Sequence, residues 1–433
     1  MERDSRRRAN KKRRIIADAG TCRGDGGAGP TSIVDVPDEL LELVLLRVRT
    51  PFCLFRAAAA CKLWRRVIKG DGFLHRLRSL RGHNSHLLLG HYSVTTEPHR
   101  RRVDTAFVPS PRRRRPAIHL RRRVSLDFLT RHGRHELSDS RGGLLAFVRD
   151  NRYAVVCDPW TRQHRELRFP WRPRRPPSPD DDTEIFYKCI GVFFLDGDAG
   201  SGDGPMSSFR VLCAYIIEDD YGDMIAQARV FSARDGGCVL PCLETVIAME
   251  CIDTWNSPDY MYELLVGRAG GCVFWAGKDG HVLVLDESTF DFSIFMLPLA
   301  PDVSMPYHRK NLRVVAGGGG AGTVRIARVV DDDALEVLTA RRLPYGSWEC
   351  SGETGVEGLC NLANIEFKPD HSWCFVDTAT TAALVIAACS SSSTAALLFS
   401  VDVETMVLRP VKDTTTVTAQ RVFPYELPWP QTI

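Results

Sequence analysis

The side chains with chemistry to offer are spread along the chain rather than grouped. Cys238-x-x-x-Cys242 supplies two soft metal ligands and His83-x-x-His86 two imidazoles, but a structural metal needs about four donors and neither pair has a second at a fitting distance. The acidic runs Asp180-Asp181-Asp182 and Asp331-Asp332-Asp333 have the charge for calcium or for paired carboxylates. No nucleophile, general acid or oxyanion donor stands beside them, and charge runs of this kind are ordinarily solvated turns. Gly317-Gly318-Gly319-Gly320-Ala321-Gly322 fits Gly-x-Gly-x-x-Gly, yet a dinucleotide site needs a helix directly after the glycines, and Thr323 to Val330 is β-branched and strand-like. These residues predict no catalytic centre, no metal and no cofactor, so any function rests on binding.

Six tryptophans, Trp160, Trp171, Trp255, Trp275, Trp348 and Trp373, could line a recognition surface. Trp275 and Trp373 fall inside apolar strands and read as core. Trp255 and Trp348, in Asn, Ser and Gly surroundings, are the better candidates for contact with a protein substrate.

The strongest organised segment is 36 to 77. Pro37 suits the start of a helix, and Asp38, Glu39 and Glu42 place negative charge near the positive end of its dipole. Leu40, Leu41, Val44, Leu45 and Val48 share one face, while Leu43 and Leu46 widen the apolar arc beyond a single stripe. Thr50-Pro51 breaks this helix, an alanine-rich helix follows to Ala60, a third runs from Lys62 to Lys69 with Trp64, Val67 and Ile68 inward, and Gly70-Asp71-Gly72 closes it. A module of about 40 residues cannot bury two apolar faces alone, so it predicts an interface.

Val36-Pro37-Asp38-Glu39-Leu40-Leu41, then Leu54-Phe55-Arg56-Ala57-Ala58-Ala59-Ala60-Cys61-Lys62-Leu63-Trp64-Arg65-Arg66-Val67-Ile68, then Phe73-Leu74, resemble an F-box in order and spacing. Family members commonly begin Leu-Pro where this chain has Val36-Pro37. The resemblance implies docking on an Skp-type adaptor and, through it, on the cullin and RING subunits of an SCF ubiquitin ligase. By position, Pro37, Leu40, Leu41, Val44, Leu45, Leu54, Cys61 and Trp64 match the family's adaptor-facing or module-core pattern, and sequence does not separate those two roles. The rival reading is a helix-turn-helix that binds nucleic acid, since Lys62, Arg65, Arg66 and Lys69 decorate the third helix. A first helix of leucine and valine nearly all round argues against a phosphate-crossing helix.

Composition bounds the rest. At 433 residues, with 44% hydrophobic and 25% charged residues, the chain reads as a soluble multidomain protein, neither fibrous nor disordered overall. Its net charge of +4 hides a division: residues 1 to 125 hold 29 Lys and Arg against 11 Asp and Glu, and the remainder 28 against 42. The basic excess gathers at Arg6-Arg7-Arg8 with Lys11 to Arg14, at Arg112 to Arg115, and at Arg121 to Arg123. The first has bipartite nuclear-import spacing in a tail, 1 to 31, expected to be disordered. The clusters lack the interleaved aromatics of a base-stacking surface, so nucleic acid is an unfavoured partner. No secretory signal is visible and Ala382 to Cys389 is too short to span a bilayer, so the expectation is a nuclear or cytoplasmic chain with reduced cysteines. Most of its 14 cysteines sit singly in apolar strands, as at Cys157, Cys189, Cys213 and Cys272, and read as core.

Beyond residue 80 the periodicity is that of strands. Residues 142 to 170 and 270 to 298 align without a gap: a Gly pair, an apolar strand, a polar turn, a second strand, Asp-x-x-Thr and a closing Pro. Phe399 to Thr405 echoes them. The 128 residues between the two starts equal about three units of 43, near the length of a four-stranded propeller blade. The predicted architecture is α+β multidomain: an all-α F-box module at 32 to 80, then an all-β domain at 81 to 433. That domain is expected to be a β-propeller of about six blades, with a β-sandwich pair as the alternative. Ser140 to Leu145 and Val155 to Pro159 resemble phrases of the F-box-associated propellers of a large plant family. That family's members are substrate adaptors, which implies a non-catalytic ligase subunit. The polar loops Arg172 to Asp182 and Asp196 to Ser208 read as insertions or substrate-contact loops.

Overall fold

A computed structural model describes residues 36–48, 51–81, 86–97, 102–110, 121–129, 135–150, 153–168, 187–195, 205–218, 224–233, 237–238, 243–247, 264–277, 280–298, 307–317, 322–330, 333–363, 371–377, 384–390, 396–411 and 421–428. The basic tail, Arg112 to Arg115, Trp171, Trp255, His83, Cys242, Asp180 to Asp182 and Gly318 to Ala321 lie outside them. The chain divides into two compact units, residues 1–80 with Ile433, and 81–432.

Among the described residues the first unit has four helices. In α1 (Asp38–Leu46), Pro37 caps the helix from outside, its carbonyl accepting the amides of Leu40 and Leu41 at 3.1 Å each, and Asp38 and Glu39 occupy the first turn. Pro51 opens α2 (Pro51–Ala60), where a missing N–H leaves no bond unmade. Next comes α3 (Lys62–Lys69), and extended Gly70 ends it. Gly70-Asp71-Gly72 does not close the module as the sequence suggests. Asp71 begins a further helix, α4 (Asp71–Arg81), whose Phe73 and Leu77 are buried. A glycine at the second helical position costs only about 1 kcal/mol, which two buried apolar side chains exceed. The interior also takes Leu41, Leu45, Leu54, Ala58, Val67 and Ile68.

The second unit is mostly β. Among the described residues its strands form six antiparallel meanders, the fourth and fifth of them joined into one eight-stranded sheet. The first joins β1 (His86–Glu97) and β2 (Arg102–Pro109). The second is β3 (His135–Arg141), β4 (Leu144–Arg149), β5 (Tyr153–Asp158) and β6 (Gln163–Arg168). The third comprises β7 (Tyr187–Phe194), then β8 (Arg210–Glu218) after a short helix α5 (Pro205–Ser208), and β9 (Met224–Ser232). Strands β10 (Gly237–Cys238) and β11 (Leu243–Ile247) both pair with β9. The fourth is β12 (Leu265–Ala269), β13 (Cys272–Ala276), β14 (His281–Asp286) and β15 (Phe292–Met296). The fifth is β16 (Leu312–Ala316), β17 (Thr323–Val330), β18 (Ala334–Arg342) and β19 (Trp348–Glu357). After α6 (Leu359–Leu362), the sixth is β20 (His371–Val376), β21 (Leu384–Ser390), β22 (Leu397–Asp402) and β23 (Val407–Pro410). The last strand, β24 (Arg421–Pro428), returns to the first sheet and pairs with β1, giving the order β2-β1-β24.

Each sheet packs on the next through alternating side chains. In β4, Leu145 and Phe147 join Tyr92, Val94 and Tyr425 of the first sheet, while Leu144, Ala146 and Val148 join Val192 and Val211 of the third. Trp275 and Leu283 meet Phe193 and Leu212; Phe274 and Val284 meet Val324 and Ile326; Leu335 and Val337 meet Trp373 and Phe399. Central strands buried on both faces are uniformly apolar rather than alternating, which is why β5, β13 and β14 read as continuous hydrophobic runs. The fourth and fifth sheets touch edge to edge where Gly267 pairs with Val314. A Cβ at Gly267 would lie 2.3 Å from the Val314 carbonyl oxygen, so only glycine permits this approach.

The repeated Asp-x-x-Thr phrase forms the predicted corner. Asp158 Oδ1 accepts the amides of Trp160 (2.8 Å) and Thr161 (3.3 Å), and Asp286 and Asp402 bind the residues two and three positions on in the same way. The residue after each Thr, namely Arg162, Phe290 and Met406, has positive φ, and the chain turns into the outer strand. The Gly pairs 142–143 and 270–271, at φ between 57° and 83°, are two-residue hairpin turns. They lie inside their sheets, after an inner strand that the sequence reading missed. The two starts are two sheets apart, not three units of 43, because the segments between sheets are longer than a regular repeat. Removing residues 421 to 433 should lower the urea midpoint of the β unit, followed by tryptophan fluorescence, because β1 loses a strand partner and Tyr425 leaves the core between the first two sheets.

Candidate functional site

Charge gathers on and just beyond the strands β24, β3, β7, β12, β16 and β20, which lie at one end of each meander. Asp139 Oδ2 accepts the amide of Phe194 at 2.7 Å and Arg268 Nη1 at 2.9 Å, while Arg268 Nη2 donates to the Phe194 carbonyl at 2.6 Å and its Nε to Glu287. One guanidinium thereby ties the second, third and fourth sheets together. Burial opposes its charge, but Asp139 and Glu287 outweigh burial and hold the Arg268 pKa above its ordinary value. On the other side Asp377 receives Arg309 and Arg313, the latter at 2.6 Å, together with the Val422 amide at 3.4 Å. This joins the fifth and sixth sheets to β24. Arg421 reaches Glu136 at 3.5 Å.

Three guanidinium groups, Arg309, Arg313 and Arg421, surround Asp377, and all are largely buried. Burial works against the Asp377 charge, but Arg309 and Arg313 hold its carboxyl well below the usual range. Arg313 is pulled down to about 10 by burial, with Asp377 opposing and Arg309 adding to the fall. Beside this cluster opens a cavity of about 840 Å3, lined by Val376, Val385 and Phe423 together with Arg268, Asp377, Asp402 and Arg409. Its size is that of a ligand site, and its lining mixes apolar side chains with charges of both signs. None of these polar residues was singled out in the sequence. The signal that could have found them is an unpaired charge within a β-rich stretch, as in Arg313 and Arg421.

In the helical unit the structure separates the two roles that the sequence left open. Leu41, Leu45 and Leu54 are interior, at 5%, 3% and 0% exposure, so they hold the module together and offer nothing to a partner. Leu40, Leu43 and Val44 are exposed at 54%, 52% and 65%, and their spacing puts them in one stripe on α1. Pro37 is exposed; Cys61 and Trp64 are half-buried. Of the cations on α3, Arg65 donates from Nε to the Ala58 carbonyl at 3.0 Å and Arg66 binds both oxygens of Asp38 at 2.9 Å. Two members of the supposed nucleic-acid face thus join helices of the module to one another.

Trp348 is not a surface residue. It is 8% exposed and packs against Phe274 (5.4 Å between ring centroids) and Phe295 (6.0 Å), because β19 aims it into the core between the fourth and fifth sheets. The polar turn before it misled the sequence reading. Trp275 and Trp373 are core, and half-buried Trp160 carries Arg123 over its ring at 5.1 Å. Gly317 and Gly322 flank the turn of the β16–β17 hairpin, and Thr323 to Val330 is strand. Asp333 accepts the Cys360 amide at 2.8 Å and the Trp373 indole at 3.2 Å. Cys157, Cys189, Cys213 and Cys272 are buried free thiols, and burial drives the Cys189 and Cys272 thiols up to about 12. Among the described residues no cluster of His, Cys, Asp or Glu is placed to hold a metal, and no helix is long and apolar enough to cross a membrane.

Comparison with known proteins adds little. No family model matches the chain, and no curated protein matches it. Among solved structures, it is similar to the β-propeller domain of Cps50 (Swd1) from Myceliophteria thermophila at 12% identity and a TM-score of 0.28, covering 65% of this chain and 87% of that one. A protein from Lactobacillus plantarum gives 12% identity and a TM-score of 0.30, covering 79% and 98%. AztD from Citrobacter koseri gives 9% and 0.29, covering 77% and 84%. Similarity this slight carries neither fold nor function.

Replacing Asp377 by Asn should lower stability by about 3 kcal/mol in urea titrations, since Arg309 and Arg313 would keep their charge without a carboxylate. The Asp377 carboxyl is depressed in the folded chain, so its contribution is complete above the unfolded value of about 3.9 and is lost as pH falls below it. The loss of stability between about pH 4 and pH 2 should therefore be smaller in the Asn variant.

Proposed function

We propose that this chain is the substrate-recognition subunit of an SCF-type cullin–RING ubiquitin ligase. Its helical unit is an F-box that docks on an Skp-type adaptor, and its β unit is a six-bladed β-propeller that binds a protein substrate. The observation that carries the reading is the exposed Leu40, Leu43 and Val44 stripe on a helix whose other face is fully used, within a segment whose residue order resembles an F-box. Three large apolar side chains left in water on a four-helix unit are the mark of a protein interface. The propeller reading rests on six sequential meanders, on contact between the edge strands β24 and β3, β3 and β7, and β12 and β16, and on the last strand pairing into the first sheet. Such a subunit does no chemistry itself. It raises the local concentration of substrate at the ubiquitin-charged enzyme.

The exposure pattern decides how to test this. Charge at Leu41 or Leu45 would unfold the module and report nothing about docking. Leu40→Glu with Val44→Glu leaves the interior intact. Co-expressed with an Skp-type adaptor, the native chain should co-purify with it, and the double variant should bind on the order of a hundredfold or more weaker while keeping its thermal midpoint. Failure of the native pair to associate would sink the proposal.

A further inference from the structure

One face of the sixth sheet brings two thiols together. In the antiparallel register of β20 and β21, Cys374 lies opposite Ala387 and Ser372 opposite Cys389, so the two cysteines are diagonal neighbours on the same face. The alternate residues Trp373, Phe375, Ile386 and Ala388 turn into the core shared with the fifth sheet. Cys374 and Cys389 point the other way, where they pack on Val385, Ala387 and Leu398. Their sulfurs are 3.6 Å apart, in hydrogen-bond contact. A disulfide brings its sulfurs to about 2.05 Å, so the pair has to close only about 1.5 Å more.

The chemistry of this pair differs from that of the thiols in the core. Cys374 and Cys389 are half-buried, whereas Cys157, Cys189, Cys213, Cys272 and Cys360 are buried. The Lys310 carbonyl accepts the Phe375 amide at 2.7 Å, which ties this lysine to β20, and its positive charge favours a thiolate at either sulfur. The hydrogen bond from Cys374 lowers the Cys389 pKa, with burial opposing and Lys310 adding to the fall. The same bond, with burial, raises the Cys374 pKa against the pull of Lys310 and Arg313. One sulfur is thus readied as a nucleophile, and the other keeps its proton beside it.

From this geometry we infer that Cys374 and Cys389 form a dithiol site for peroxide, whose oxidation cross-links β20 to β21. The Cys389 thiolate attacks one oxygen of hydrogen peroxide; the S–O bond forms as the O–O bond breaks, and the departing hydroxide takes up the proton that Cys389 released. The Cys374 sulfur then attacks the Cys389 sulfenic acid; the S–S bond forms, the S–O bond breaks, and the hydroxyl leaves as water with the Cys374 proton. Two thiols lose two electrons in all, and one peroxide becomes two waters. A small uncharged oxidant suits thiols half-covered by valine, alanine and leucine. The new bond joins the strands whose paired residues Val376 and Val385 line the cavity. This inference is independent of the ligase reading.

The test uses the full chain, reduced, freed of reductant and exposed to a small excess of hydrogen peroxide. Remaining thiols are alkylated in denaturant, and cleavage before aspartate separates Cys374, in residues 370–376, from Cys389, in residues 377–401. Mass spectrometry should find these two fragments joined, about 2 Da lighter than their sum, and parted again by dithiothreitol. Cys389 should lose its free thiol about tenfold faster than Cys53, which is the more exposed. In Cys374→Ala, oxidation should stop at a Cys389 sulfenic acid that dimedone traps and that the native chain does not accumulate. The thermal midpoint shows whether that variant is folded, and the cross-link in the native chain decides the matter if it is not. Absence of the joined fragments, joining of Cys389 to another cysteine, or oxidation of Cys389 no faster than that of Cys53 overturns the inference.

Discussion

The β unit depends on the pairing of its last strand with its first. Sheets with apolar side chains on both faces need neighbours on both sides, and a row of them would end in two wet hydrophobic faces. Placing β24 beside β1 puts the first and last strands of the unit in one sheet. Tyr425 on β24 is fully buried among Tyr92 and Phe107, so the closure is a packed joint as well as a hydrogen-bonded one.

Strand contact also accounts for the position of the charges. Edge strands meet at β24–β3, β3–β7 and β12–β16, and their backbone and polar groups lose water as they do. Burial of that kind requires partners, and Arg268 with Asp139 and Glu287 on one side, and Asp377 with Arg309 and Arg313 on the other, supply them across two or three sheets at once. Both sides border the cavity, since Arg268 and Asp377 each line it.

Much of the local structure was legible in the residues. Corners at Asp158, Asp286 and Asp402 follow from what an aspartate can bind two and three residues ahead, and the strands between them from β-branched apolar runs. Strand β3 was not legible: Glu-Leu-Ser-Asp-Ser has neither a hydrophobic run nor a clean alternation, because its polar residues bond to strands of neighbouring sheets instead of solvent. Helix α4 was missed because Gly70 and Gly72 mark a stop by themselves, and only the burial of Phe73 and Leu77 overrides them. Trp348 was misplaced for the related reason that a polar turn says nothing about where the next side chain points.

The sequence alone determined a helical module with surplus apolar surface and a repeated strand–corner–strand unit, since each depends on neighbours within a few residues. Which leucines of the module face inward, which strand pairs with β1 across the length of the unit and which arginines meet at Asp377 were decided only by tertiary structure. Arg309, Asp377 and Arg421 are far apart in the chain and become neighbours because sheets buried on both faces must each find a partner.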